Sequence, residues 1–157
     1  MNPTFSETQG FNKWWHILLM TFPFILWVAY WLTQTEYNLI FIFSSLATFL
    51  VFVIWFFILK LKTTISESGI IVHFQGIPFC KRKIAWSDIQ SINIEEYSPL
   101  YDYGGWGVRY SMSGKGWCYN VSGKMGIKLQ YTNGKAFLIG TQKPEEAQAI
   151  INHYFKK

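Results

Sequence analysis

From Asn38 to Leu59 the chain reads NLIFIFSSLATFLVFVIWFFIL, a run without one charged side chain. As a helix rising about 1.5 Å per residue it is about 33 Å long, enough to cross the hydrocarbon core of a bilayer with some tilt. A second apolar run, Trp14–Leu32, is interrupted only by His16, Thr21 and Pro23, and the same rise makes it about 28 Å long. The segment between them, TQTEY, is too short for anything but a tight turn. Two membrane-spanning helices, over 14–32 and 38–59, are therefore expected to run antiparallel, with residues 1–61 serving as a membrane anchor.

Charge sets the expected orientation. Lys13 precedes the first run, Lys60 and Lys62 follow the second, and the turn holds only Glu36. The excess of Lys and Arg on cytoplasmic flanks places both termini in the cytoplasm. Trp14, Trp15, Tyr30, Trp31 and Tyr37 stand where interfacial aromatics belong. Reading the first run as a cleaved signal peptide is disfavoured: it is long for such a segment, rich in Trp and Tyr, and followed by no small-x-small cleavage site. Pro23 removes one backbone donor and is read as a kink, with a hinge as the alternative. Ser44, Ser45, Ala47 and Thr48 make a small-residue patch against which a helix can pack closely, the first span being the nearest candidate.

Of the 14 Lys and Arg and nine Asp and Glu in the chain, residues 1–59 hold only Glu7, Lys13 and Glu36, so the net +5 of the chain comes from the segment 60–157, which alone carries +6. A basic domain suits an anionic inner leaflet, where each nearby cation adds about 1 kcal/mol of attraction. Nucleic acid is not an expected partner, since the basic residues are dispersed and no helix carries a run of them. Cys80 and Cys118 lack metal-ligand spacing and read as free thiols.

After Lys62 the apolar pattern changes to a period of two, the mark of half-buried strands. Ile70, Val72 and Phe74 alternate with Ile71 and His73; Trp106, Val108, Tyr110 and Met112 alternate with Gly107, Arg109 and Ser111; Trp117, Tyr119 and Val121 alternate with Cys118 and Asn120. Met125, Ile127, Leu129 and Tyr131 continue the series, and Asn133-Gly134 predicts a type I′ hairpin into a strand at 136–140. Ser68-Gly69 and Ser122-Gly123 mark further turns. The last element changes period: Pro144, Glu145 and Glu146 suit a helix start, and Ala147, Ile150, Ile151, Tyr154 and Phe155 follow helical spacing. The fold class is α+β, with residues 62–157 forming a bent antiparallel sheet or barrel of six or seven strands capped by a C-terminal helix.

The runs TTISESGIIVHF, KIAWSDIQSINIEEY and IGTQKPEEAQAII resemble the bacterial pleckstrin-homology-like (PH-like) domains found beside two N-terminal membrane helices in small proteins, over residues 60–157. The segment YSPLYDYGGWGVRYS, residues 97–111, is similar to a glycine-tryptophan segment of one group of them. The resemblance implies a PH-like fold at the cytoplasmic side of a bacterial plasma (inner) membrane. It carries over no catalytic residue and no cofactor. Joined to the anchor, it leads to an expected role as a non-enzymatic module for protein or peptide contact, or assembly. The partners so implied are the bilayer and a protein or a second copy of the chain.

Chemistry-bearing residues are sparse. His16, His73 and His153 show no metal-binding spacing. Glu95 and Glu96 are adjacent on a strand and so face opposite sides, which argues against a paired-carboxylate site and for solvent or Lys partners. Gly104-Gly105-Trp106-Gly107 lacks the third glycine of a dinucleotide fingerprint, and Gly114-Lys115 and Gly134-Lys135 lack the upstream glycine of a phosphate loop. Asn120-Val121-Ser122 fits a glycosylation sequon, which has no meaning on a cytoplasmic domain.

Two candidate sites remain. The loop from Tyr97 to Trp106 leads to Arg109; either its aromatics form a lid over the sheet, or Tyr101, Tyr103 and Trp106 give apolar contact while Arg109 holds a carboxylate or phosphate. The basic turn Cys80-Lys81-Arg82-Lys83 is the second, with Lys81, Arg82 and Lys83 facing anionic lipid head groups. An unrecognised membrane-bound enzyme using Arg109, Asp102 and the tyrosines is the remaining alternative.

Overall fold

A computed structural model describes residues 2–34, 38–111 and 113–155. The expected turn at Glu36, the aromatic Tyr37 and the strand position Met112 lie outside the described residues, as does the side chain of Trp15. The chain divides into a β unit, Met1–Gly10 with Lys60–Lys157, and a helical unit, Phe11–Leu59.

Along the chain the elements are β1 (Phe5–Gly10), α1 (Trp14–Leu32), α2 (Leu39–Ile58), β2 (Lys60–Ser66), β3 (Gly69–Gln75), β4 (Lys81–Ile84), β5 (Ile89–Glu96), α3 (Pro99–Tyr103), β6 (Gly107–Tyr110), β7 (Trp117–Asn120), β8 (Met125–Tyr131), β9 (Ala136–Gly140) and α4 (Pro144–Tyr154). The architecture is α+β, dominated by sheet.

In the helical unit, α2 alone among the described residues is long and apolar enough to cross a membrane, with a mean hydropathy of 2.5. None of its residues is buried, so its apolar surface serves no protein core. The apolar part of α1, His16–Leu32, is shorter. The two helices meet where Phe24 stacks on Phe49 with centroids 4.2 Å apart. Ser44, Ser45 and Thr48 share a groove with Pro23, Phe24 and Trp27, so the small-residue patch faces α1 as expected.

The β unit holds two sheets. One has the order β1-β2-β3-β4, antiparallel throughout; the other has the order β5-β8-β9-β7-β6. In the second, β7 runs parallel to β9, which departs from the all-antiparallel expectation. The chain leaves β7 at Asn120 and returns as β8 on the far side of β9, so Ser122-Gly123 lies on a crossover instead of a hairpin. The core between the sheets holds Leu61, Ile65, Ile70, Val72 and Phe74 from the first, and Ile127, Leu129, Phe137 and Ile139 from the second. Helix α4 packs across β1, β2, β5 and β8 and buries Ala147 and Ile151.

The β8–β9 hairpin forms at the expected place with a different turn. Tyr131 N–H bonds Lys135 O, Lys135 N–H bonds the Asn133 side chain, and only Gly134 is left-handed, at φ 79°. A type I′ turn needs two left-handed residues; the side-chain bond of Asn133 removes that need here. Gly69 at the β2–β3 turn is required more strictly. Its φ is 117°, and a Cβ there would lie 2.1 Å from Ile84 O.

Strand β1 lies outside the expected domain, residues 62–157. It pairs with β2 in unbroken register from Phe5↔Ile65 to Gly10↔Lys60. The helical unit is thus an insertion between two directly paired residues. Glu7, on the buried face of β1, accepts from Thr141 Oγ1 at 2.7 Å and from Gln142 N–H at 2.8 Å, while Gln9 Nε2 donates to Gly140 O at 2.7 Å. These bonds tie the first sheet to the end of β9 in the second.

Deletion tests this arrangement. Replacing residues 11–59 by Asn-Gly closes β1 and β2 with a two-residue hairpin and is expected to give a soluble, cooperatively melting protein, whereas residues 62–157 alone are expected to aggregate for want of β1. Gel filtration and thermal melting of both chains decide it; a well-folded 62–157 fragment would contradict the role of β1. In the shortened chain Glu7→Ala is expected to lower stability by about 3 kcal/mol in urea, since hydrogen bonds to a charged group contribute about 1.5–3 kcal/mol each.

Candidate functional site

The segment 97–111 builds a structured corner. Ser98 caps α3: its hydroxyl accepts from Tyr101 N–H at 3.5 Å, and Ser98 N–H donates to Asp102 Oδ2 at 2.7 Å. Pro99 occupies the first helical position, where its missing N–H is no loss. Gly104 ends the helix in the left-handed conformation, φ 69°, with Gly104 N–H bonded to Leu100 O and Gly105 N–H to Pro99 O.

This short helix separates its tyrosines. Tyr103 turns inward, packs edge-on to Tyr97 with centroids 6.0 Å apart, and joins Cys118 and Leu138 in a buried cluster. Burial raises the hydroxyl pKa of both tyrosines and pushes the Cys118 thiol up, so that thiol is inert at neutral pH. Tyr101 points the other way and is 94% exposed. The single aromatic lid expected over this segment is thus half core and half surface.

Beside α3 lies a cleft of about 660 Å³. It brings together Tyr101, Tyr103 and Arg109 of the expected set, and adds Asp102, Tyr110 and Ser113; Trp106 does not line it. Trp106 instead offers its carbonyl to Arg109 Nε at 2.9 Å, which fixes the arginine at the rim. Asp102 is engaged on both oxygens, since Lys115 Nζ reaches Oδ1 at 2.6 Å. The hydrogen bond from Lys115, and then that from the Ser98 backbone, hold its carboxyl below the ordinary range. With Asp102 paired to Lys115, Arg109 is the cleft's charge without an acidic partner among the described residues. Tyr110, expected on the buried face of its strand, is 58% exposed and packs edge-on against Trp117 at 5.3 Å. Just beyond Tyr110, Ser111 N–H bonds Gly116 O. The cleft is lined in part by Val108, Arg109 and Tyr110 of β6, the end strand of its sheet, whose strand partner among the described residues is β7.

The basic segment 81–83 is a strand, not a turn. β4 pairs with β3 as His73↔Lys81, Val72↔Arg82 and Ile71↔Lys83, and alternation sends Arg82 to the opposite face from the two lysines. Arg82 lies over the rings of Phe137, Tyr119 and Trp117, 5.1, 5.6 and 5.7 Å from their centroids, and its Nε donates to Tyr119 Oη at 3.2 Å. A cation so held is withdrawn from any lipid surface and instead joins the first sheet to the second. Lys81 and Lys83 remain exposed.

Of the remaining candidates, only His73 adjoins one of these sites, as the cross-strand partner of Lys81. His16 is buried in the helical unit, edge-on to Phe11 at 5.0 Å, with Nδ1 accepting from Lys13 N–H. His73 lies on the outer face of β3 and His153 in the last turn of α4. Glu95 pairs with Lys128 at 2.9 Å, as its strand position suggested. Among the described residues no group of three His, Cys, Asp or Glu is placed to hold a metal.

If Arg82 has this structural role, Arg82→Ala is expected to destabilise the β unit by about 1–3 kcal/mol through lost stacking and an unpaired hydroxyl. Lys81→Ala and Lys83→Ala are expected to stay within about 0.5 kcal/mol of the parent. Thermal melts of the three variants in detergent rank them directly, and equal melting temperatures would remove Arg82 from the structural core.

Compared with protein-family models, with curated proteins and with solved structures, the chain matches none of them.

Proposed function

We propose that the chain is a membrane-anchored, PH-like, non-enzymatic module that binds an extended protein or peptide segment, or joins copies of itself, at the cytoplasmic face of a bacterial plasma membrane. The observation that carries the binding part is that the Tyr101–Arg109 cleft is lined by Val108, Arg109 and Tyr110 of β6, the end strand of the second sheet. An extended segment can add main-chain hydrogen bonds to an open edge while the adjacent cleft reads its side chains. Tyr101 and Tyr110 offer apolar contact with a polar tip, and Arg109 offers a charge for a carboxylate. The segment preferred is therefore acidic.

The anchor is supported by chain topology. Gly10 and Lys60 are ladder partners, so both ends of the helical insertion lie on one side of any membrane. If α2 crosses, residues 11–38 must cross as well, and the number of passes is even. On this reading α1 is the second span. The same pairing counts against a cleaved signal peptide, because cleavage after α1 would strip β1 from its sheet. Lys13, Lys60 and Lys62 on the domain side favour the cytoplasm. The PH-like reading draws on the two packed sheets with a C-terminal helix across them. Lipid head-group binding is the second reading, favoured by exposed Lys81 and Lys83, with Arg82 withdrawn from it.

A photo-crosslinking amino acid at Tyr101, in the full chain expressed in bacterial cells, is expected to give adducts of discrete mass that Arg109→Glu suppresses at least about tenfold, as loss of a charge-assisted contact implies. The same probe at Lys135, on the β8–β9 turn, is expected to give none of these bands. Identical bands from both positions, or none from Tyr101, would set the cleft aside as a binding site.

A further inference from the structure

The β3–β4 loop, residues 76–80, ends in an apolar tip with no protein to cover it. Phe79 is 103% exposed. Its φ of 61° makes it the one residue other than glycine with a positive φ among those described, a conformation that bulky side chains rarely adopt. Pro78, beside it, is exposed too. A bulky ring held outward in a sparsely populated backbone conformation is a point at which to seek a function.

The register says where this tip stands. Gln75, the last residue of β3, pairs with Lys60, and Lys60 pairs with Gly10. The loop after Gln75 therefore leaves the sheet at the end where the helical insertion is joined to it. On the outer face of this sheet Lys62, His73 and Lys81 are direct cross-strand neighbours, Lys60 lies one pair nearer the insertion, and Lys83 one pair further from it. Every other residue on that face is uncharged, and none of these lysines has an ion-pair partner among the described residues. Lys62 and Lys81 flank His73 across the sheet, and with Lys60 and Lys83 nearby the face carries a positive charge that an anionic surface would complement.

We infer that the Phe79 loop is a third membrane contact: its ring enters the interfacial layer of the bilayer while Lys60, Lys62 and Lys81 lie against anionic head groups. The inference rests on the anchored reading above and deepens it by fixing which edge of the domain meets the lipid. The chemistry is that of an interfacial apolar wedge with a basic collar, which inserts about 5–10 Å and needs both parts. It uses neither Arg82 nor the Tyr101–Arg109 cleft, so both contacts operate together.

The test uses the full chain with Cys80→Ser, leaving Cys118 buried and unreactive. An NBD fluorophore is placed at Pro78→Cys, and separately at Ser68→Cys on the exposed β2–β3 turn at the opposite end of the sheet. Each protein is assembled into phosphatidylcholine nanodiscs with or without phosphatidylglycerol. At position 78, with phosphatidylglycerol present, a blue-shifted emission and quenching by lipids carrying a shallow spin label are expected; at position 68, water-like emission without quenching. Phe79→Asp, which suits a left-handed backbone better than Phe, is expected to return position 78 to the behaviour of position 68. Lys60→Glu with Lys81→Glu is expected to do the same, as is omitting phosphatidylglycerol. A chain that fails to co-elute with nanodiscs refutes the anchor and the inference together. A chain that co-elutes with position 78 unquenched refutes the inference alone, and quenching indifferent to both phosphatidylglycerol and the Lys variants refutes the basic collar.

Discussion

The backbone ladder between Phe5–Gly10 and Lys60–Ile65 joins segments that flank the whole apolar insertion. Most of the architecture depends on it. The ladder supplies the outer strand of the first sheet and positions Glu7 and Gln9 to hold the end of β9. It also brings the entry and exit of the helical unit to adjacent residues. An insertion placed between paired strands in this way cannot be cut away without separating β1 from its sheet in sequence, because the strand before it and the strand after it are hydrogen-bonded neighbours. The Glu7 carboxylate sits almost fully buried, where a charge is tolerated only with hydrogen bonds of this quality.

The two sheets are tied together by unlike means at different places. Glu7 and Gln9 work through hydrogen bonds at the β9–α4 corner, and Tyr154 Oη reaches Pro3 O at 2.7 Å from the C-terminal helix. Trp86, just after β4, donates from its indole to Ser66 O at 3.0 Å and stacks on Tyr154, which seats α4 against the first sheet and not one sheet on the other. Arg82 works through three aromatic faces. The apolar core between the sheets supplies most of the stabilisation, but these polar ties fix the relation of one sheet to the other, since burial alone is non-directional.

What could be read from the sequence tracked the strength of its periodic signals. The charge-free run became α2, the alternation at 70–74 and 125–131 became β3 and β8, and the amphipathic spacing after Pro144 became α4. Strand β1 was illegible because its buried face is Phe5, Glu7 and Gln9, which reads as polar where the fold needs an inward face. β4 was hidden in the same way: its inward side chains are Arg82 and Ile84, and an arginine under aromatic rings looks like a solvated cation in sequence. Helix α3 was announced by Ser98, Pro99 and Gly104, a cap, a start and a stop, but five residues are too few to show a period. The parallel β7–β9 pair comes from strand order, which no local signal encodes. At the candidate site, Tyr101, Tyr103 and Arg109 border one cleft without Trp106, and Tyr110 and Ser113, which were not among the expected residues, border it too.

In the proposed topology both ends of the insertion, and the domain with them, lie on the cytoplasmic side while the connection between α1 and α2 lies on the other. Labelling with a membrane-impermeant thiol reagent in intact cells tests this most directly, using a Cys80→Ser chain that carries either Thr35→Cys or Lys135→Cys. The thiol introduced at position 35 is predicted to react in intact cells, and the thiol at position 135 only after the membrane is permeabilised. Reaction at position 135 in intact cells, with position 35 protected, would reverse the orientation, and equal reaction at both would contradict the two-pass insertion itself.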